Sequence, residues 1–105
     1  MNSKLYNFIG LAAKAGFVIS GAAACESGVR RGKVYLVLLD CDASQNTVKD
    51  FTNLCKYYKI KLLILEDESM LASSIGKAGI KVVGITDENM AREILNKANS
   101  NPGEK

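Results

Sequence analysis

The run Val34-Tyr35-Leu36-Val37-Leu38-Leu39 is apolar throughout and shows no alternation of polar and apolar positions. This pattern is typical of a strand that is covered by helices on both faces. Other β-rich segments occur at 17–20, 60–65 and 81–86, and the segment at 60–65 also looks buried. Segments with apolar residues at helical spacing lie between them. The sequence therefore predicts an α/β fold, an α/β/α sandwich around a small, possibly mixed sheet.

The predicted helices are bounded by glycines and by short polar side chains that suit helix termini. The first helix spans Ser3 to Ala15 and stops at Gly16, and the second begins at Gly21 and ends at Gly32. The other expected termini are Ser44 or Thr47 before the third helix, the acids at 66–68 before a short fourth helix that Gly76 ends, and Asp87 before the last helix. Residues of the second helix expected to face the core are Ala22, Cys25 and Val29.

Length and composition favour one domain. The chain has 105 residues, of which 48% are hydrophobic and 24% are charged, which is enough for a single core. We expect this domain to span residues 1–98 and a flexible C-terminal tail to follow at 99–105. The formal net charge of +3 permits contact with an anionic partner but does not require one.

The absence of histidine removes the most versatile catalytic base and the commonest metal ligand, which argues against an enzyme. Cys25, Cys41 and Cys55 form no CxxC pair, so neither a disulfide framework nor a zinc site is indicated. Free cysteines suit a reducing cytoplasm. Lys14 divides the apolar N-terminal stretch that an export signal would need, and no other stretch could span a bilayer. We therefore expect a soluble, cytoplasmic protein without membrane contact.

Two polar clusters allow more than one interpretation. Asp40 and Asp42 could form an acidic metal site, but a solvated loop that caps a helix is the favoured interpretation. An enzyme would need a pocket that brings Asp40 and Asp42 together with Lys81. The segment Gly76 to Lys81 lacks the order and spacing of a nucleotide-binding loop. It could be a flexible basic loop that contacts RNA phosphates or an ordinary connector.

The densest basic cluster is Arg30-Arg31 with the nearby Lys33, at the predicted end of the second helix. Cations are favoured at a helix C-terminus for structural reasons alone, so nucleic-acid contact there is the weaker interpretation.

Several ordered motifs together resemble the small bacterial ribosomal proteins of the kink-turn-binding superfamily, and most of all its YlxQ-type branch. These motifs lie at 10–16, 20–21, 42–47, 55–58 and 75–77. The resemblance implies a three-layer α/β/α fold with a mixed four-stranded sheet, no catalysis, no cofactor and no metal. It also implies binding to structured RNA, with ribosomal RNA or the ribosome as possible partners.

Members of that superfamily read a kink-turn with a Gly-x-Asn-Glu-x-x-Lys pattern that begins at the start of the second helix. With its glycine on Gly21, the pattern falls on Ala23, Ala24 and Ser27, so all three reading side chains are absent. The resemblance therefore implies weakened or altered kink-turn recognition, in which mainly phosphate contacts survive. The expected RNA-binding residues are Lys14, Ser20, Gly21, Ala22, Ala23, Ser27, Gly76, Lys77 and Lys81. The alternative is a protein-interaction module on the same fold, with Phe17 and the alanines at 22–24 as its surface.

Overall fold

The computed structural model describes residues 2–99, in which five helices and four strands alternate. The elements are α1 (Ser3–Lys14), β1 (Val18–Ser20), α2 (Ala22–Arg30), β2 (Leu36–Asp40), α3 (Gln45–Tyr58), β3 (Lys61–Leu65), α4 (Met70–Ser74), β4 (Val82–Ile85) and α5 (Glu88–Asn99). Of the predicted tail at 99–105, Asn99 is the last residue of α5, and residues 100–105 lie outside the described part of the chain. Within residues 2–99, no helix has both the length and the apolar character that crossing a bilayer requires.

The four strands form one mixed sheet in the order β1-β4-β2-β3. β2 and β3 are parallel, with Leu36 opposite Lys61, whereas β4 is antiparallel to both β2 and β1. The expected mixed four-stranded sheet is thus confirmed. Leu39 near the end of β2 pairs with Val82 at the start of β4, so the carboxyl ends of β2 and β3 share one end of the sheet with the start of β4.

Helices cover both faces of the sheet. α1, α4 and α5 pack on one face, and α2 and α3 pack on the other. The first core joins Ile9, Leu71 and Ile94 to Leu36, Leu38, Val83 and Ile85 of the sheet. The second core joins Cys25, Val29, Phe51 and Cys55 to Val37, Leu39 and Val82. All five residues of β2 are buried, since alternate side chains enter opposite cores. The three-layer α/β/α sandwich is confirmed.

α1 and α4 approach each other closely at Gly10. A methyl group on its Cα would lie 2.8 Å from the carbonyl oxygen of Ser74, a distance that real side chains do not adopt. Glycine therefore sets the spacing between these two helices.

Two predicted helix caps are confirmed. Ser44 accepts a hydrogen bond from the backbone N–H of Thr47 at 3.1 Å, and Asp87 accepts one from Met90 at 3.0 Å. Each bond satisfies an N–H group that the first turn of a helix leaves without an intrahelical partner.

α4 follows the acids at 66–68, as predicted, but their predicted role at its N-terminus is wrong. The helix begins at Met70 and has no acid in its first turn, so the acids at 66–68 do not support it. Instead, the buried carboxylate of Asp40 accepts the backbone N–H of Ser69 at 3.1 Å. A carboxylate from the end of β2 thus orders the entry to α4.

Three details of the predicted core are also wrong. β3 is an edge strand, and Ile64 is 44% exposed because β3 has a neighbouring strand on only one side. β2 begins at Leu36, which leaves Tyr35 outside the strand and 47% exposed. Ala22 is exposed, whereas Cys25 and Val29 are buried as expected, because the first residue of α2 lies beyond the edge of the core.

Candidate nucleic-acid interface

The junction between β1 and α2 depends on Gly21. Its backbone lies at φ 97° and ψ 147°, a region that only glycine occupies without strain. Its N–H donates to the carbonyl oxygen of Val82 at 2.9 Å, which fixes the junction beside the start of β4. The chain then enters α2 directly, and no side chain caps the helix at this residue.

The first turn of α2 presents backbone to solvent. The alanines at 22–24 are exposed, and the N–H of Cys25 makes the first intrahelical bond, to the carbonyl oxygen of Gly21 at 3.0 Å. The Cys25 side chain is buried beneath them, and burial raises the pKa of its thiol to about 12. The open N–H groups and the positive end of the helix dipole can hold an anion here. Ser27 is also exposed, one turn further along α2.

The loop between α4 and β4 lies against this junction. The ammonium group of Lys77 donates to Ser20 Oγ at 3.2 Å, although the two residues are 57 positions apart. Gly76 and Gly79 have φ near +75°, and the segment from Gly76 to Lys81 forms one wall of a shallow groove of about 490 Å³. We call the surface formed by Ser20, Gly21, Ala22, Gly76 and Lys77 the glycine end.

Lys81 belongs to a different cluster from Lys77. Its ammonium group donates to Asp42 Oδ2 at 3.0 Å and to Asp40 Oδ2 at 3.2 Å. Hydrogen bonds to Asp42 and then to Asp40 raise the pKa of Lys81. Two carboxylates therefore pair with the ammonium group that was expected to contact phosphate, and the RNA-binding role of Lys81 stays a prediction.

The same cluster brings together the three side chains that an enzyme site would need. Asp40, however, is fully buried and is also held by the backbone N–H of Ser69. Its carboxylate joins β2 to the entry of α4 and, through Lys81, to the start of β4. The cluster thus has the geometry of a structural ion pair that fixes the base of the loop.

Lys14 is not part of the glycine end. It is the last residue of α1, near the point where the chain enters β1. At that point the carbonyl oxygen of Phe17 accepts a hydrogen bond from the N–H of Thr86 at 2.9 Å. Ser20 leaves β1 at the other end of the strand, opposite Val83. The structure therefore brings together five of the nine predicted residues, places Ala23 and Ser27 beside them on α2, and separates Lys14 and Lys81.

A glycine junction that opens a helix beside a basic loop, on a three-layer sandwich with a mixed four-stranded sheet, defines a small domain of the ribosomal-protein type. The chain belongs to the Ribosomal protein L7Ae/L30e/S12e/Gadd45 family, which matches residues 3–95.

Two similar proteins are named RNA-binding protein YlxQ. The one from Bacillus subtilis (strain 168) is 38% identical over 90 residues, which cover 86% of this chain and 90% of the relative. The one from Enterococcus faecium is 36% identical over 90 residues, 86% of each chain.

Two solved structures have the same fold. A protein with unknown function from Bacillus halodurans superposes with a TM-score of 0.88 at 30% identity, covering 91% of this chain and 97% of that one. A Giardia lamblia 15.5kD RNA binding protein superposes with a TM-score of 0.77 at 22% identity, covering 91% of this chain and 85% of that one.

Proposed function

We propose that this protein binds structured RNA through the glycine end, mainly by contacts to the sugar-phosphate backbone. The observation that carries the proposal is the hydrogen bond of 3.2 Å between Lys77 and Ser20, because it holds a cation beside the uncapped start of α2. An ammonium group and open backbone N–H groups together are a suitable site for phosphate. The two YlxQ relatives are named RNA-binding proteins, which supports RNA as the partner.

Kink-turn recognition is weakened or altered in this proposal. The positions that would read bases carry Ala23, Ala24 and Ser27, and an alanine side chain can neither donate nor accept a hydrogen bond. Each lost bidentate contact to a base costs about 1–3 kcal/mol, so the loss of three lowers specific affinity by orders of magnitude. The protein then acts as a non-catalytic, cytoplasmic RNA-binding module without a cofactor, associated with ribosomal RNA or the ribosome.

The test compares binding to a kink-turn RNA and to a duplex of equal length by fluorescence anisotropy over a range of salt concentrations. We expect both RNAs to bind with similar, salt-dependent affinity. Lys77→Ala should weaken both and lower the slope of log affinity against log salt by about one, as loss of one phosphate contact does. Lys49→Ala removes an exposed lysine from α3 and is the matched control, expected to behave as wild type.

A second pair of variants separates charge from backbone strain. Gly21→Asp adds a carboxylate at the uncapped helix start, while Gly21→Ala imposes the same strain at φ 97° without charge. We expect Gly21→Asp to bind RNA less well than Gly21→Ala, with circular dichroism used to verify that both remain folded.

Two results would contradict the proposal. A folded wild-type protein that binds neither RNA would favour the protein-interaction alternative. A preference for the kink-turn of more than about tenfold, near 1.4 kcal/mol, would show that bases are read despite the alanines. Ribosome association is tested separately by cosedimentation on a sucrose gradient in low salt.

A further inference from the structure

The end of the molecule opposite the glycine end collects positive charge. β2 and β3 are parallel and adjacent, so both begin at this end, and the helices that precede them, α2 and α3, both finish there. Six of the chain's 14 lysines and arginines are therefore neighbours, and all six are exposed. They are Arg30, Arg31, Lys33, Lys56, Lys59 and Lys61. We call this surface, together with Tyr57 and Tyr58, the tyrosine end.

Three acidic side chains lie near the tyrosine end, and two of them have partners. Glu26 accepts a hydrogen bond of 2.9 Å from Arg30 on the same helix, and Asp87 accepts the backbone N–H of Met90. Asp50 lies about two helical turns before Tyr57. Six cations against these three acids leave this end with a net charge of +3, which equals the formal net charge of the whole chain.

An aromatic platform lies among these cations. Tyr57 is 79% exposed, the most exposed of the large hydrophobic side chains in the part of the chain that the structure describes. Its ring meets that of Tyr58 in an edge-on arrangement, with centroids 4.9 Å apart and planes at 76°. Tyr58 is partly buried, whereas Tyr57 is largely exposed. The Tyr57 ring is therefore open to a flat ligand.

A groove adjoins the platform. It has a volume of about 600 Å³ and runs between α2 and α3, where Arg30, Leu54, both tyrosines and the carboxylates of Glu26 and Asp50 line it. The Arg30 guanidinium donates to Glu26 at 2.9 Å, and this hydrogen bond raises the pKa of Arg30. A flat cation and an exposed ring beside one groove match what stacked bases require.

We propose that the tyrosine end binds an unpaired stretch of RNA, with one base stacked on Tyr57 and the adjacent phosphates held by the surrounding lysines and arginines. An acidic peptide would need the positive charge but would gain nothing from the open ring, so the platform favours nucleotides. The inference goes beyond the proposed function, because it uses neither Gly21 nor Lys77 and concerns the opposite end of the molecule.

The experiment measures binding of a fluorescently labelled, unstructured oligouridylate to the full chain by anisotropy at low salt. Tyr57→Ala should weaken binding by about 5- to 150-fold, since one stacked base contributes about 1–3 kcal/mol by alanine substitution. Tyr57→Phe keeps the ring and should bind within about twofold of wild type. Lys56→Ala should weaken binding and lower its salt dependence, while Lys49→Ala, about two turns earlier on the same face of α3, should leave it unchanged.

The outcomes separate this inference from the proposed function. If Lys77→Ala weakens binding to structured RNA but leaves binding to oligouridylate unchanged, the result supports two independent surfaces. The inference would be overturned if Tyr57→Ala binds oligouridylate as tightly as wild type does. It would also be overturned if the wild-type protein does not bind oligouridylate. Equally tight binding of a labelled polyglutamate would also overturn it, because the surface would then recognise acidic protein. Tyr57 is largely exposed, so a thermal melt of the variant should match wild type and exclude unfolding as the cause.

Discussion

The carboxylate of Asp40 should contribute far more to the free energy of unfolding than that of Asp42, although both bind the ammonium group of Lys81. Asp40 is fully buried and accepts hydrogen bonds from the N–H of Ser69 at 3.1 Å and from Lys81 at 3.2 Å. In Asp40→Asn, a neutral amide of the same size replaces the carboxylate. The NH₂ group of this amide then faces the N–H of Ser69 or the ammonium group of Lys81, and two donors cannot form a hydrogen bond. Hydrogen bonds to a charged group contribute about 1.5–3 kcal/mol, so we expect the free energy of unfolding to fall by about 2–3 kcal/mol.

Asp42→Asn is the matched control. Its carboxylate lies 3.0 Å from the Lys81 ammonium, slightly closer than that of Asp40, but the side chain is 56% exposed. Water screens such a pair, so the free energy of unfolding should change by no more than about 0.5 kcal/mol. Urea denaturation followed by circular dichroism measures both variants. Equal losses in the two variants, or a loss below about 0.5 kcal/mol for Asp40→Asn, would refute the argument that burial decides the effect.

Three further changes test the packing, a backbone conformation and the thiols. Gly10→Ala gains about 1 kcal/mol of helix propensity, but the clash with Ser74 costs more, so a net loss of about 1–2 kcal/mol should lower the melting temperature. Lys59→Gly should stabilise the chain by about 1 kcal/mol in urea denaturation, because Lys59 ends α3 in the left-handed conformation at φ 60°. In the folded protein, iodoacetamide should modify the exposed Cys41 and spare Cys25, so mass spectrometry should find one adduct before unfolding and three after it. Since folding raises the pKa of Cys25 from 9.0 to about 12, only the unfolded thiol ionises above pH 9, and the urea midpoint should fall as the pH rises beyond that value.

Local patterns in the sequence were sufficient to predict the layers of the fold. The unbroken apolar run before Asp40 identified a strand buried on both faces, and Ser44 and Asp87 identified two helix starts. The segment at 60–65 has a similar apolar composition, yet it forms an edge strand. Strand order depends on pairing between distant segments, and composition carries little information about it.

Without the family resemblance, which supplied Gly76 and Lys77, the candidate site was predictable only where its residues are close in sequence. Gly21 stands out because a strand and a helix meet there, but the partners of Lys81 lie 39 and 41 positions away. Without the sheet, nothing in the sequence pairs that lysine with carboxylates. Tyr57 did carry a signal, since it falls outside the apolar stripe of α3 that contains Tyr58, and a tyrosine outside such a stripe is left exposed.

The length of α2 sets the size of an RNA that could contact both ends of the molecule. Its nine residues rise by about 1.5 Å each, so the helix measures about 13–14 Å. A duplex advances about 3.4 Å per base pair, which makes this length equal to about four base-pair steps. A single short hairpin with a few unpaired nucleotides at its base is therefore large enough to reach from Gly21 to Arg30.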